Sequence, residues 1–197
     1  MKFKLLGTEI YISFLFSALI AFMIATDRTG LCLPTLFAAF IHETGHLLAL
    51  WACDCQPKAI RLIPASVQIV RGFSKKRHGE AAISLCGPMA NLVVFLALFI
   101  NYSITKSEVS LRFGLLNMIL CVFNLLPVSG LDGGTLLTLA LARFTDINRA
   151  EGIVRIITAI FSALCFLCGV YLWVSGRVNI SVFIVAVYLL CCSLMKR

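Results

Sequence analysis

Six apolar runs take up most of this 197-residue chain. They lie at about 8–25, 33–52, 81–101, 111–130, 153–174 and 179–195, and the fourth continues into a short apolar stretch at 134–142. A helix crossing about 30 Å of hydrocarbon needs roughly 20 residues. The runs therefore predict six transmembrane helices and leave little chain for a separate soluble domain. Composition agrees: 60% of residues are hydrophobic and 13% charged, against roughly 45–50% and 25% in an average soluble domain. The mean hydropathy is +0.99. A soluble globular, disordered or fibrous protein is excluded. The expected fold class is an all-α membrane protein, 1–197 forming one polytopic domain in the cell membrane.

One connection has a different texture. Ile60-Arg61-Leu62-Ile63 and Val67-Gln68-Ile69-Val70-Arg71 are rich in β-branched residues and are divided by Pro64-Ala65-Ser66. This pattern predicts two short strands, a β-hairpin after helix 2 associated with the membrane surface. Its edges need cover, because unpaired backbone is costly in lipid. The N-terminal Met1-Lys2-Phe3-Lys4, followed by an apolar run without a cleavage signal, reads as a retained signal anchor.

The chain carries 17 basic and 9 acidic residues, a net charge of +8. The basic residues flank apolar runs, which points to topology and anionic lipid rather than to nucleic acid. With six spans, 13 of the 17 basic residues fall on the side of both termini, Lys75, Lys76 and Arg77 among them; Arg28, Lys106, Arg112 and Arg177 fall on the other. The positive-inside rule then makes both termini cytoplasmic. The nine cysteines give no even, spaced framework, and most sit in apolar runs. Cys165-x-x-Cys168 lies mid-span with no second pair, so it reads as two small hydrophobes.

Against this background, His42-Glu43-Thr44-Gly45-His46 stands out within the second run. An acid at the centre of a membrane helix costs about 2.5–3.5 kcal/mol on insertion scales. Four residues of α-helix place His42 and His46 about 40° apart, one turn along one face. Two imidazoles so placed can share one tetrahedral Zn²⁺, and Glu43 projects beside them toward a metal-bound water. The alternative is a pair of core histidines satisfied by neighbouring helices. A catalytic zinc needs a third protein ligand and an open position. His78 sits among cations, Glu9 begins the first run and Cys53 ends the second. Asp132 follows a turn-rich break, Pro127-Val128-Ser129-Gly130-Leu131, and is the best third ligand; the competing reading makes it a helix cap. On the predicted topology both groups lie on the cytoplasmic side.

These residues and their order resemble the site-2 protease family of intramembrane zinc metalloproteases, peptidase family M50. Three motifs carry the resemblance: His42-Glu43-x-x-His46, then Gly87-Pro88-x-x-Asn91 preceded by Glu80, then Asn124-x-x-Pro127 followed by Asp132-Gly133. It covers about 33–140, which it implies is a three-helix catalytic core, and the size and layout are most similar to the branch of the stage IV sporulation protein FB. It implies a zinc sunk below the lipid surface, a membrane-anchored protein substrate, regulatory membrane proteins as further partners, and cleavage in regulated proteolysis, with a sporulation pro-sigma factor as one substrate type. The CBS domain common in that branch is not expected, nor is a PDZ domain.

The chemistry expected is hydrolysis, with Glu43 as general base and then general acid. Asn91 and Asn124 are read as substrate-binding or supporting groups, or equally as interhelical hydrogen bonders. Gly87 and Pro88 are read as bending span 3 or admitting a close helix, and Pro127 as breaking span 4. Two other classes stay open. A membrane metal transporter would show inverted repeats and several polar spans, whereas spans 1, 5 and 6 are nearly devoid of polar residues. A catalytically silent assembly factor would tolerate loss of Glu43, which is present.

Overall fold

The computed structural model describes residues 2–5, 8–53, 57–63, 66–71, 77–176, 185–187 and 189. In chain order these form β1 (Lys2–Leu5), β2 (Thr8–Ile12), α1 (Phe14–Thr26), α2 (Cys32–Ala52), β3 (Pro57–Ile63), β4 (Ser66–Arg71), α3 (Arg77–Thr105), α4 (Glu108–Asn124), α5 (Asp132–Leu141) and α6 (Ile147–Val174). The fold is mostly helical. Among the described residues two helical stretches, Gly79–Thr105 and Ile147–Val174, are long and apolar enough to cross a membrane.

The strands add to the all-α expectation a four-stranded sheet of order β1-β2-β3-β4. Strand β3 pairs antiparallel with β4 through Leu62↔Val67 and Ile63↔Ser66. The N-terminal segment read as an anchor and as the start of span 1 forms β1 and β2 instead. These pair antiparallel with each other, and β2 runs parallel to β3 through Ile10↔Ile60. The reason lies in Thr8-Glu9-Ile10-Tyr11-Ile12. Three of its residues are β-branched and one is aromatic, which suits a strand, and hydropathy alone cannot separate such a run from the first turns of a helix. Helices α1 and α2 form the crossover that parallel pairing requires.

The fourth run is also corrected. Helix α4 stops at Asn124, three residues before Pro127, and the chain turns through 125–131 before α5 begins at Asp132. Pro127 therefore lies in the turn and breaks no helix. The sixth run falls mostly outside the described residues.

The chain divides into two compact units, Met1–Val122 and Phe123–Arg197. In the first, Ala49, Leu50 and Ile83 form a buried cluster that joins α2 to α3. Their approach depends on Gly45, where a Cβ would lie 2.5 Å from the Cys86 carbonyl oxygen and 2.8 Å from the Ala90 Cβ. In the second, Val128, Leu131 and Leu189 form the buried cluster, with Phe161 and Cys165 packed on it. Cys165 thus acts as a hydrophobe, as expected.

Candidate metal centre

Helix α2 is introduced by a short polar turn. Asp27 Oδ1 accepts hydrogen bonds from the Thr29 N–H at 2.8 Å, the Thr29 hydroxyl at 2.7 Å and the Gly30 N–H at 3.1 Å, and Oδ2 accepts the Cys32 N–H at 2.8 Å. The Cys32 amide, then the Thr29 groups, hold the Asp27 carboxyl below its usual value of 3.8. Gly30 has φ +69, a conformation open to glycine at little cost. This turn meets an orphan N–H at the start of the helix.

Ten residues further on, α2 carries His42 and His46, 6% and 8% exposed. Their rings meet edge to face, with centroids 4.8 Å apart and an interplanar angle of 86°. Each ring turns its Nδ1 away to an acceptor. His42 Nδ1 lies 3.0 Å from Asn91 Oδ1, and His46 Nδ1 lies 2.8 Å from the Ile83 carbonyl oxygen. Both acceptors are on α3. An Nδ1 that donates leaves its proton off Nε2 in the neutral ring, and the two Nε2 atoms converge to 3.2 Å. Two lone pairs facing each other at that distance call for a cation between them. Nitrogens at about 2.0–2.1 Å from one tetrahedral zinc lie about 3.3–3.4 Å apart. The pair fits zinc on separation, on donor chemistry and on the backing hydrogen bonds that metal-binding imidazoles ordinarily have. Glu43, half-buried, follows His42 on the same turn.

The second motif has a clearer purpose here than bending a helix. A Cβ on Gly87 would coincide with the His46 imidazole, so only glycine leaves that ring its place. Pro88, inside α3, is fully buried. Asn91 is 0% exposed and donates through Nδ2 to the Ala38 carbonyl at 3.0 Å and to Asn117 Oδ1 at 2.9 Å. Asn117, on α4, is also 0% exposed and was not singled out by the sequence analysis. Its signal was present: it is a further asparagine in an apolar run, seven residues before Asn124 and so near the same face of α4.

The remaining predicted residues belong to the second unit. Asn124 is the last residue of α4, half-buried, and Pro127 is exposed in the turn. Asp132 is the first residue of α5, half-buried, with Leu131 as the N-cap. Its carboxylate in the first turn suits the positive end of the helix dipole. The turn that delivers it is held by backbone: Val128 N–H donates to the Leu126 carbonyl at 2.7 Å, and Leu131 N–H to the Val128 carbonyl at 3.1 Å. It is pinned to α6 where Ser129 N–H donates to Thr158 Oγ1 at 2.8 Å. Gly133 and Gly134 are buried under it. A Cβ on either would run into the carbonyl oxygens of Leu125, Leu126 or Val128. Of the other two ligand candidates, Cys53 is exposed beyond the end of α2, and the side chain of Glu9 is outside the described residues.

A zinc-type imidazole pair on a buried face of an apolar helix defines a class of membrane-type metal site, and the comparisons with known proteins point the same way. The family model of peptidase family M50 matches residues 107–168. The chain is 25% identical over 154 residues to a zinc metalloprotease of Methanocaldococcus jannaschii, covering 72% of this chain and 45% of that protein. It is 30% identical over 125 residues to a Synechocystis protein provisionally named a zinc metalloprotease, covering 60% of this chain and 33% of that one. The chain thus spans less than half the length of these curated relatives. Its fold is similar to that of the site-2 protease from Methanocaldococcus jannaschii, with a TM-score of 0.73 at 22% identity over 98% of this chain and 93% of that one. Together these similarities support peptidase family M50, the site-2 protease family.

Proposed function

We propose that this chain is a zinc metalloendopeptidase of the site-2 type, which hydrolyses peptide bonds in or near transmembrane segments of membrane-anchored proteins. The observation that carries the reading is the convergence of His42 Nε2 and His46 Nε2 at 3.2 Å, each ring backed through Nδ1. His42, His46 and Asp132 are the proposed ligands, the last on the strength of its motif. The residues 33–140 are the proposed catalytic core.

When bound, zinc supplies Lewis acidity to a water, whose pKa it lowers to about 7, and to the scissile carbonyl. The Glu43 carboxylate takes the proton of the attacking water and returns it to the leaving amine nitrogen. Asn91 holds the His42 ring from behind rather than touching substrate. Asn124 is the proposed partner for an extended substrate backbone. Among the described residues β4 is an edge of the sheet, where such a strand would join.

A membrane setting is supported by the outward faces of the helices. Phe22, Trp51, Ile104 and Trp173 are each 62% exposed or more, an exterior that suits lipid rather than water. Six spans, both termini in the cytoplasm, the 13-to-4 basic split and a regulatory substrate of the sporulation pro-sigma type complete the proposal.

The test is co-expression of single-span membrane proteins with the intact chain and with Glu43→Gln. A product made by the intact chain and absent with Glu43→Gln is expected. Cleavage that survives Glu43→Gln would sink the mechanism. Asp132→Asn tests the third ligand, because an amide is a poor zinc donor, and the cap reading falls away since Leu131, not Asp132, is the N-cap of α5. Lost zinc and lost cleavage are expected, and full activity would move the third ligand elsewhere.

A further inference from the structure

We infer that Asn117 is a positioning residue for the metal site: through Asn91 it fixes which nitrogen of His42 carries the proton, and so which nitrogen is left to bind the metal. The inference rests on the metal reading proposed above.

Two groups beside the asparagines have roles that cannot be exchanged. The carbonyl oxygens of Phe113 and Ala38 can only accept. The Phe113 carbonyl lies 2.9 Å from Asn117 Nδ2, so the amide of Asn117 must turn its NH₂ to its own helix and its Oδ1 toward Asn91. That Oδ1, 2.9 Å from Asn91 Nδ2, and the Ala38 carbonyl, 3.0 Å from the same atom, present two acceptors to one side of the Asn91 amide. Only the NH₂ group can satisfy both. Asn91 Oδ1 therefore faces His42, and an oxygen that can only accept requires a proton on His42 Nδ1, 3.0 Å away. The Nε2 lone pair is then free of its proton and directed at His46.

The reversed amide shows what is at stake. Turned over, Asn91 would present NH₂ to His42 Nδ1, the ring would carry its proton on Nε2, and the metal-binding position would be blocked. Asn91 has two acceptors holding it, and Asn117 supplies the one that comes from a third helix. Both asparagines are 0% exposed, so water offers no substitute partner. His46 needs no such device, because its Nδ1 meets the Ile83 backbone carbonyl directly.

The experiment measures zinc affinity of the full purified chain by chelator competition, with no substrate present. Asn117→Leu keeps the volume and removes the amide. In the wild-type background it should weaken zinc binding about 10–100-fold, as loss of a group behind a metal ligand does. In an Asn91→Asp background it should cost less than about twofold or tighten binding. There a carboxylate accepts from His42 Nδ1 in either orientation, and Asn117 Oδ1 is only an opposing oxygen. Should Asn117→Leu not fold, Asn117→Thr makes the same comparison, its hydroxyl being taken up by the Phe113 carbonyl. Should Asn91→Asp not fold, Asn91→Ala is the second background, where Asn117→Leu should cause no further loss. An equal loss in both backgrounds, as a packing role predicts, or no loss in either, overturns the inference alone. A wild-type chain that binds no zinc overturns the metal reading and this inference with it.

Discussion

In the first compact unit, His42 and His46 are oriented by acceptors drawn from neighbouring elements: an asparagine, a backbone carbonyl and, behind the asparagine, a second asparagine. In the second, Asp132 is delivered by a turn whose shape comes from backbone hydrogen bonds, two buried glycines and one threonine. The contrast follows from the chemistry of the proposed ligands. An imidazole has two nitrogens, and its tautomer must be chosen as well as its position, which takes a polar partner. A carboxylate in the first turn of a helix is favoured by the dipole and needs mainly to be aimed. The histidines are thus held by acceptors reached from another helix, the Asn91 amide and the Ile83 carbonyl, and Asp132 by the turn that precedes it.

The largest loss is expected in the turn. Gly134→Ala or Gly133→Ala sets a methyl against backbone carbonyls that have no room to yield, so a destabilisation of about 3 kcal/mol or more is expected in thermal unfolding of the detergent-solubilised chain. A change below about 0.5 kcal/mol would mean that the turn is not built on those glycines.

Gly87→Ala attacks the imidazole side. The methyl meets a ring rather than backbone, so the cost to stability is expected to be smaller, about 1–3 kcal/mol. Zinc binding should suffer more, because the His46 ring must leave its place. Measuring unfolding and zinc affinity on the same variant separates the two effects. Unchanged zinc affinity would refute the role given to Gly87.

Thr158→Val tests the pin between the turn and α6. It leaves the Ser129 N–H without its hydroxyl acceptor, at a cost of about 1–3 kcal/mol. Zinc binding by the imidazole pair is expected to persist. A loss confined to zinc binding, with stability intact, would contradict the structural role of this threonine.

The smallest effect belongs to Asp27, which is only partly buried. Its carboxyl is held below its usual value by the Cys32 and Thr29 groups. The stability it adds is therefore present above the unfolded value of 3.8 and lost as pH falls through the lower folded value. Protection of the Gly30 and Cys32 amides, taken against the intrinsic exchange rate at each pH, should fall below about pH 4, and Asp27→Asn should remove that change. Protection that stays level with pH in the unaltered chain would contradict it.

What the sequence disclosed follows the range of its signals. The His42-Glu43-x-x-His46 face was legible because helix geometry alone fixes it over one turn. The helical cores of α2, α3 and α6 were legible because long apolar runs admit little else. Strands β1 and β2 were not, since Thr8–Ile12 is both apolar and β-branched and pairs with residues some fifty positions away, at 59–62. The end of α4 at Asn124 was missed because an apolar turn has the hydropathy of an apolar helix. The service of Gly87 to His46 and of Asn117 to Asn91 depends on contacts between helices, which no local pattern reveals. The polarity of Asn117 within its run could have marked it as a residue in need of a partner.

On the proposed reading, His42 and His46 turn their Nε2 atoms to a shared zinc. The most direct test is the metal content of the purified full chain, set beside His42→Ala, His46→Ala and Glu43→Gln. The structure predicts about one zinc per chain in the unaltered protein and in Glu43→Gln, and loss of zinc in each histidine variant. Zinc retained at full stoichiometry after either histidine is removed would contradict it.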